Sequence, residues 1–222
     1  MESATRAALS SISYANIGYR ETLRNAILDR LVVASDTVIE FTARAIKDWI
    51  GPDLAQLNNF ETFFDLVSHS NKIIQTAALS SLKQRMSERE YQESLERANI
   101  VSVIRSLSSN SDNPEAISFV AFALSTMALT LASNGHVDVV LQLVACEEPQ
   151  IREGAVAAIE NIANGSVSDR KHLLDVDILE RLIGSDGRLG QTEFQLSSSI
   201  TPKLALDYVR AGKADFILGL VE

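Results

Sequence analysis

Apolar and polar positions along this chain recur with a helical period. In "IREGAVAAIENIANG", residues 151 to 165, small and aliphatic side chains fall three and four positions apart, which places them on one face of a helix. That helix is built mostly of small residues, and one amide, Asn161, sits among its apolar positions near the end. It also has approximate copies. One or two aliphatics followed three or four residues later by Leu occur at "AILDRLVV", "TFFDLVS", "SVIRSLSS", "VVLQLVA", "DILERLIG" and "DFILGLVE". Their anchor leucines, Leu31, Leu66, Leu107, Leu143, Leu182 and Leu220, are separated by 35, 41, 36, 39 and 38 residues. A spacing this even predicts a repeat architecture rather than an unrelated bundle.

A second element lies between the anchors, in "AIKDWI", "ALSSLK", "ALSTMA" and "AIENIA", beginning at Ala45, Ala78, Ala123 and Ala158. Small residues there let neighbouring helix axes approach, while apolar residues three and four positions apart share a face. Each unit reads as a short helix ending at its anchor leucine, a turn, and a longer helix. Before three anchor helices stand "RAN", "SNG" and "RAG", with Asn99, Gly135 and Gly212 placed to adopt a left-handed conformation. Ser87 with Glu90 predicts a capping box, and Thr201 before Pro202 a helix start. Pro114 and Pro149 are expected in the first turns of their helices, and Asn164-Gly165 at the close of the quoted one. The absence of a Gly- or Pro-rich linker predicts one continuous domain.

Composition narrows the class. Only 4 of 222 residues are Pro and 6% are aromatic, so aliphatic and small side chains dominate and an all-α fold is expected. A formal charge of −9 repels a phosphate backbone or an anionic lipid surface, and no nucleic-acid partner is expected. Cys146 is the sole cysteine, which favours a reducing compartment, the cytoplasm or the nucleus. No secretory signal pattern opens the chain. The uncharged run "AISFVAFALSTMALTLASNGHV" carries five hydroxyl side chains ahead of Asn134 and reads as buried helix rather than a membrane span.

Chemistry-bearing clusters are missing. His69, His136 and His172 lie in different units, without a second ligand type at metal spacing, so no metal or cofactor is expected. Cys146 lacks the context of a nucleophile, and no G-x-S-x-G elbow, phosphate loop or dinucleotide fingerprint occurs. Asp175 and Asp177 flank a helix start, where the macrodipole favours negative charge. These readings predict a protein without enzymatic activity.

From "ERANIVSVIRSLSS" through "NGHVDVVLQLVA" to "IREGAVAAIENIANG", the chain resembles the armadillo-repeat family, with its turn, "xxLxxLL" helix and "AxxALxNLA" helix. The resemblance covers roughly residues 20 to 222 and implies a right-handed α-solenoid of about five to six armadillo-like helical repeats, with residues 1–19 as an N-terminal extension or capping helix. The period is shorter than is typical of such repeats, so some units are expected to lack the small first helix. In the family, third helices line a concave face where an Asn near each helix end holds the main chain of an extended peptide. Asn161 matches that position, with Asp48, Ser81, Thr126 and Ser198 as its counterparts. One turn earlier stand Arg44, Ala77, Phe122 and Ala157. Trp49 falls one position off that stripe and reads as core.

The resemblance thus implies a scaffold or adaptor for a protein or peptide partner, bound first through Phe122, Thr126, Ala157 and Asn161, then through Arg44, Asp48, Ala77 and Ser81. Import adaptors of this family carry arrays of Trp and Asn that are not reproduced here, so an adaptor for basic nuclear-localisation peptides is the lesser reading. Another reading is a self-associating solenoid, or a fragment of a larger repeat protein, whose open end around Phe216, Leu218 and Leu220 stacks on a further copy or on further repeats.

Overall fold

The computed structural model describes residues 22, 24–26, 36–110, 112–183 and 190–219. Leu31, Leu220 and the 1–19 extension lie outside the described residues, as does most of the first half of the stretch 186–200. The described elements are helical, and the chain divides into two compact units, Met1–Leu82 and Lys83–Glu222.

In the first unit, α1 (Asp36–Ala45) passes through a π-helical turn (Ile46–Ile50) directly into α2 (Gly51–Gln56), followed by α3 (Phe60–Val67) and α4 (Lys72–Lys83). Ile46, Ile50, Leu54, Phe63, Ile74 and Ala78 are fully buried between them. The Ile46 carbonyl accepts the Gly51 N–H, closing the wide turn, and also the Ser81 hydroxyl at 3.2 Å. A Cβ on Gly51 would stand 2.6 Å from that of Ser81, so the approach of α2 to α4 requires glycine. Trp49 is half-buried beside this core.

The second unit repeats one plan. First helices are α5 (Arg89–Arg97), α8 (Ala128–Ser133) and α11 (Val167–Asp175). Second helices are α6 (Ile100–Asn110), α9 (Val137–Val144), α12 (Ile178–Ile183) and α14 (Ala214–Gly219). Third helices are α7 (Pro114–Thr126), α10 (Pro149–Ala163) and the opening half of α13 (Gln191–Arg210). Third helices pack on one another in the order α7, α10, α13, and first helices in the order α5, α8, α11.

A left-handed residue marks the turn from each first helix to its second. Asn58, Asn99, Gly135, Asp177 and Gly212 have positive φ at spacings of 41, 36, 42 and 35 residues. At Gly135 and Gly212 the following N–H reaches back five residues, His136 to Leu131 and Lys213 to Tyr208, as a Schellman closure does. Four residues before each left-handed position lies a buried side chain: Leu54, Leu95, Leu131, Leu173 and Tyr208. Leu66, Leu107 and Leu143 each follow their turn by eight residues, whereas Leu182 follows Asp177 by five. The turn is therefore the truer ruler of the repeat. Leu143 is half-exposed, and its neighbour Val144 fills the core.

The small-residue element performs as its composition predicts. Ala45, Ala78, Ala123 and Ala158 are buried, and a Cβ on Gly154 would stand 2.6 Å from Ala121 Cα, so α10 and α7 touch backbone to side. Pro114 and Pro149 occupy the first turns of α7 and α10 behind the N-caps Asn113 and Glu148, and Asn164 caps the end of α10. The long uncharged run is broken at Met127 between α7 and α8, and no described helix is long and apolar enough to cross a membrane.

Three sequence expectations require correction. The capping box at Ser87 and Glu90 is absent: α5 starts at Arg89 behind Glu88, whose carboxylate is held by Arg85 at 2.6 Å. Thr201-Pro202 does not begin a helix. α13 runs through Pro202 because the third helix of one repeat continues without a turn into the first helix of the next, as α1 does into α2. The described units do not lack first helices either; these are shortened to six residues in α2 and α8, or fused in α13, which is how the period contracts.

The close approach at Gly154 yields a stability prediction. Gly154→Val should cost about 1–3 kcal/mol through overpacking against the Ala121 backbone. Urea unfolding followed by circular dichroism measures it, and an unchanged midpoint would contradict the packing described.

Candidate functional site

Phe122 and Thr126 stand one turn apart on α7, and Ala157 and Asn161 one turn apart on α10, the helix packed against it. α7 ends at Thr126, leaving its last carbonyls without helical partners. Met127 N–H takes the Ala123 carbonyl. Asn161 Nδ2 donates to the Ser125 carbonyl at 3.1 Å, and Gln92 Nε2 donates to the Thr126 carbonyl at 3.2 Å. Gln92 is buried, donates also to the Met86 carbonyl at 2.8 Å, and accepts the Thr130 hydroxyl at 2.8 Å. One helix end is thus closed by a side chain from the first helix of its own repeat and by one from the third helix of the next. Asn161 is exposed, and its Oδ1 makes no hydrogen bond among the described residues.

The neighbouring side chains give this surface its character. Phe122 is 38% exposed, with the Lys83 ammonium 5.9 Å from the ring centroid. Lys83 is held there by Glu115 at 2.8 Å and Ser118 Oγ at 3.1 Å. On α13, Phe194 and Ser198 lie 37 residues beyond Ala157 and Asn161 and are exposed, with Phe194 at 57%. Ser199 Oγ donates to Glu160 Oε1 at 2.6 Å, tying α13 to α10 as Asn161 ties α10 to α7. Sequence reading missed Phe194 because "GRLGQTEFQLSSSITPK" lacks the small-then-aliphatic core that sets register elsewhere.

The remaining sequence-based candidates separate. Arg44 and Asp48 are exposed in the first unit. Ala77 and Ser81 are buried there, and the Ser81 hydroxyl is spent on the Ile46 carbonyl, so these two pack the interior instead of meeting a partner. Phe216 is half-buried and stacks on Tyr208 at 5.8 Å, Leu218 is 65% exposed, and Leu220 lies outside the described residues.

Past the ends of α7 and α10, Thr126 and Asn161 continue into a groove of about 780 Å³ that crosses the first helices α5, α8 and α11. Polar groups at its edges are engaged locally. Arg89 pairs with Glu93 at 3.0 Å, and Asp169 Oδ2 accepts both the N–H and the hydroxyl of Ser166 at 2.7 Å. Those bonds from Ser166 hold the Asp169 carboxyl below the usual carboxylate range. Among the described residues no three His, Cys, Asp or Glu side chains are grouped to hold a metal. The arrangement offers hydrogen bonds, an aromatic ring and negative charge.

Two measurements test this account of the helix ends. Gln92→Leu leaves the buried Met86 carbonyl, the half-buried Thr126 carbonyl and the Thr130 hydroxyl without their partner and should destabilise by about 1–3 kcal/mol, whereas Asn161→Ala, at an exposed position, should cost about 0.5–1.5 kcal/mol; equal losses in denaturant melts would contradict it. Because the Asp169 pKa is depressed, its contribution is complete above the ordinary value near 3.8 and falls away as pH drops through the lower folded value. An Asp169→Asn chain should therefore lose less stability than the native chain on acidification below that value, and parallel acid titrations would count against the box.

No family profile matches the sequence, and no curated protein matches it. Solved structures do. The chain is similar to a designed armadillo repeat protein in complex with the peptide (KR)4, at 19% identity and TM-score 0.52, covering 91% of this chain and 92% of that one. It is similar also to computationally designed armadillo repeat proteins for modular peptide recognition, at 19% identity and TM-score 0.53, covering 88% and 90%. A further designed armadillo repeat protein aligns at 14% identity and TM-score 0.52, covering 87% and 90%. With the three-helix plan and its recurring left-handed turn, these likenesses establish the fold of this chain as an all-α armadillo-like repeat.

Proposed function

We propose that this chain is a non-enzymatic interaction scaffold that holds an extended segment of a protein partner along the third-helix face of α7, α10 and α13. The observation that carries the reading is Asn161. Its amide N–H is fixed on the Ser125 carbonyl while its Oδ1 remains for a main-chain N–H, so the side chain is positioned before any partner arrives. Ordering the receptor then costs little on binding. An amide also contacts a backbone without reading its side chains, which suits a scaffold.

Charge favours a basic segment. Glu153 is exposed on α10, Glu160 and Glu193 are half-exposed on α10 and α13, and the whole chain carries −9. Phe122 and Phe194 offer apolar faces in register two repeats apart, and Phe194, unlike Phe122 beside Lys83, offers an open ring to a cation. That a structural neighbour holds (KR)4 agrees with this preference. With Cys146 as the sole cysteine, a reducing cytoplasmic or nuclear setting is consistent with the role.

One observation favours self-association as a second reading. Val209 is 47% and Leu218 65% exposed, whereas Ala132 and Leu141, the residues at the same distances from Gly135, are 1% and 9%. An added repeat or a second copy would cover them, and sedimentation across a concentration series reads that directly.

The main reading is tested by fluorescence anisotropy with a labelled alternating Lys-Arg octapeptide, its Glu counterpart and an uncharged control. The basic peptide should bind with a Kd of about 1–100 μM at moderate salt, weakened at least roughly fivefold by Phe122→Ala. Equal binding of all three peptides, or a basic-peptide affinity indifferent to Phe122→Ala, would overturn it.

A further inference from the structure

The groove across the first helices differs from the third-helix face in both origin and chemistry. α8 has six residues where its flanking neighbours α5 and α11 have nine each, beginning seven residues before its left-handed turn where they begin ten before theirs, so the middle first helix starts late and leaves a recess between longer walls. Leu129 lies in that recess at 46% exposure, an apolar floor in an otherwise polar trough. Ser133, at the end of α8, is exposed beside it.

Charges of both signs meet there, with carboxylates in excess of cations. The C-terminal ends of α7 and α10 reach the groove, as Ser125, Thr126, Asn161 and Asn164 among its lining show. Each such end carries partial negative charge, offset by the N-terminal ends of α5, α8 and α11 at Arg89, Ala128 and Ser166 and by Arg170, which donates to the Gly165 carbonyl at 2.8 Å, so the side-chain carboxylates set the sign. Glu93 and Asp169 add two carboxylates from opposite walls. The one cation in the lining is Arg89, whose side chain is 88% exposed and leans on Glu93 within its own helix. An incoming cation therefore competes with a solvated pair that contributes little.

We propose that this first-helix groove is a second docking site, and that it takes a partner segment presenting an arginine or lysine beside an apolar side chain. The apolar side chain covers Leu129, and the cation lies between Glu93 and Asp169. The proposal rests on the interaction-scaffold reading but not on the third-helix face: a partner engages the groove whether or not it also contacts Phe122.

The test uses the full chain and three labelled octapeptides of alternating Arg-Leu, Glu-Leu and Arg-Ser. The groove predicts that Arg-Leu binds most tightly, since each of the others lacks one of the two features. Ser133→Arg fills the recess with bulk and positive charge and should weaken Arg-Leu by roughly tenfold or more. Arg89→Glu removes the competing cation and should strengthen it roughly three- to tenfold, an effect that a misfolded variant does not produce. Phe122→Ala should leave this peptide within about twofold.

Loss of binding with Phe122→Ala but not with Ser133→Arg would overturn the groove and leave the third-helix face standing. Absence of Arg-Leu binding, or equal binding of the three peptides, would overturn the groove, while the (KR)4-type titration of Phe122→Ala separately decides the other reading. Sensitivity to Ser133→Arg and Arg89→Glu, with indifference to Phe122→Ala for every peptide, would sustain the groove alone.

Discussion

Everything in this fold depends on how short helices dispose of the carbonyls at their ends. A helix of six to thirteen residues spends a large share of its backbone on terminal groups that no intrahelical bond reaches. Within a repeat the answer is a left-handed residue at the turn, with Asn, Asp or Gly accepting the conformation that other residues resist. Between repeats the answer is a side chain: Asn161 reaches the end of α7 from the next repeat, and Gln92, which holds the Thr126 carbonyl within its own repeat, accepts the Thr130 hydroxyl from the next. Further ties join neighbouring repeats, from Arg170 to Asp207 at 2.6 Å and from His136 to Glu96 at 3.1 Å. Lys213 likewise reaches Asp177. Each tie spans about one repeat of sequence, so nearest-neighbour coupling, the mode by which repeat arrays gain stability, is carried partly by polar contacts here.

The core follows from the same constraint. Helix ends can meet neighbouring side chains only if the axes are close, and Gly154 against Ala121, with Ala123 and Ala158 buried nearby, brings α7 and α10 to that distance. Small residues and capping amides are two parts of one arrangement. Tyr208 shows the arrangement bending to a larger residue: it occupies the place of Leu95, Leu131 and Leu173, and its hydroxyl accepts the Leu179 N–H at 3.1 Å at the start of α12. Burial pushes its phenol pKa up.

Much of this was legible in the residues because it is local. Asn99, Gly135 and Gly212 announced the turns, whereas Asn58 and Asp177 adopt the same conformation outside the "RAN", "SNG" and "RAG" triplets that marked the others. Alanines at helical spacing announced the buried faces, and prolines after Asn113 and Glu148 the starts of α7 and α10. What escaped is non-local. Whether Thr201-Pro202 starts a helix depends on what the preceding helix packs against, and whether Ser81 faces a partner depends on a carbonyl 35 residues earlier. Asn161 was identified as a candidate from its position, but its bond to Ser125 and the groove beside it arise only when three repeats stack.

The function proposed follows from rigidity joined to charge: helix ends locked by neighbouring repeats present amide, aromatic and carboxylate groups on a surface that needs little reorganisation. The most direct measurement is a heteronuclear NMR titration of the isotopically labelled chain with a basic extended peptide, observing the side-chain amides of asparagine and the aromatic resonances of phenylalanine. The account predicts saturable shifts at Asn161, Phe122 and Phe194, with the helical backbone unchanged. Shifts confined to residues away from α7, α10 and α13, or none at saturating peptide, would contradict it.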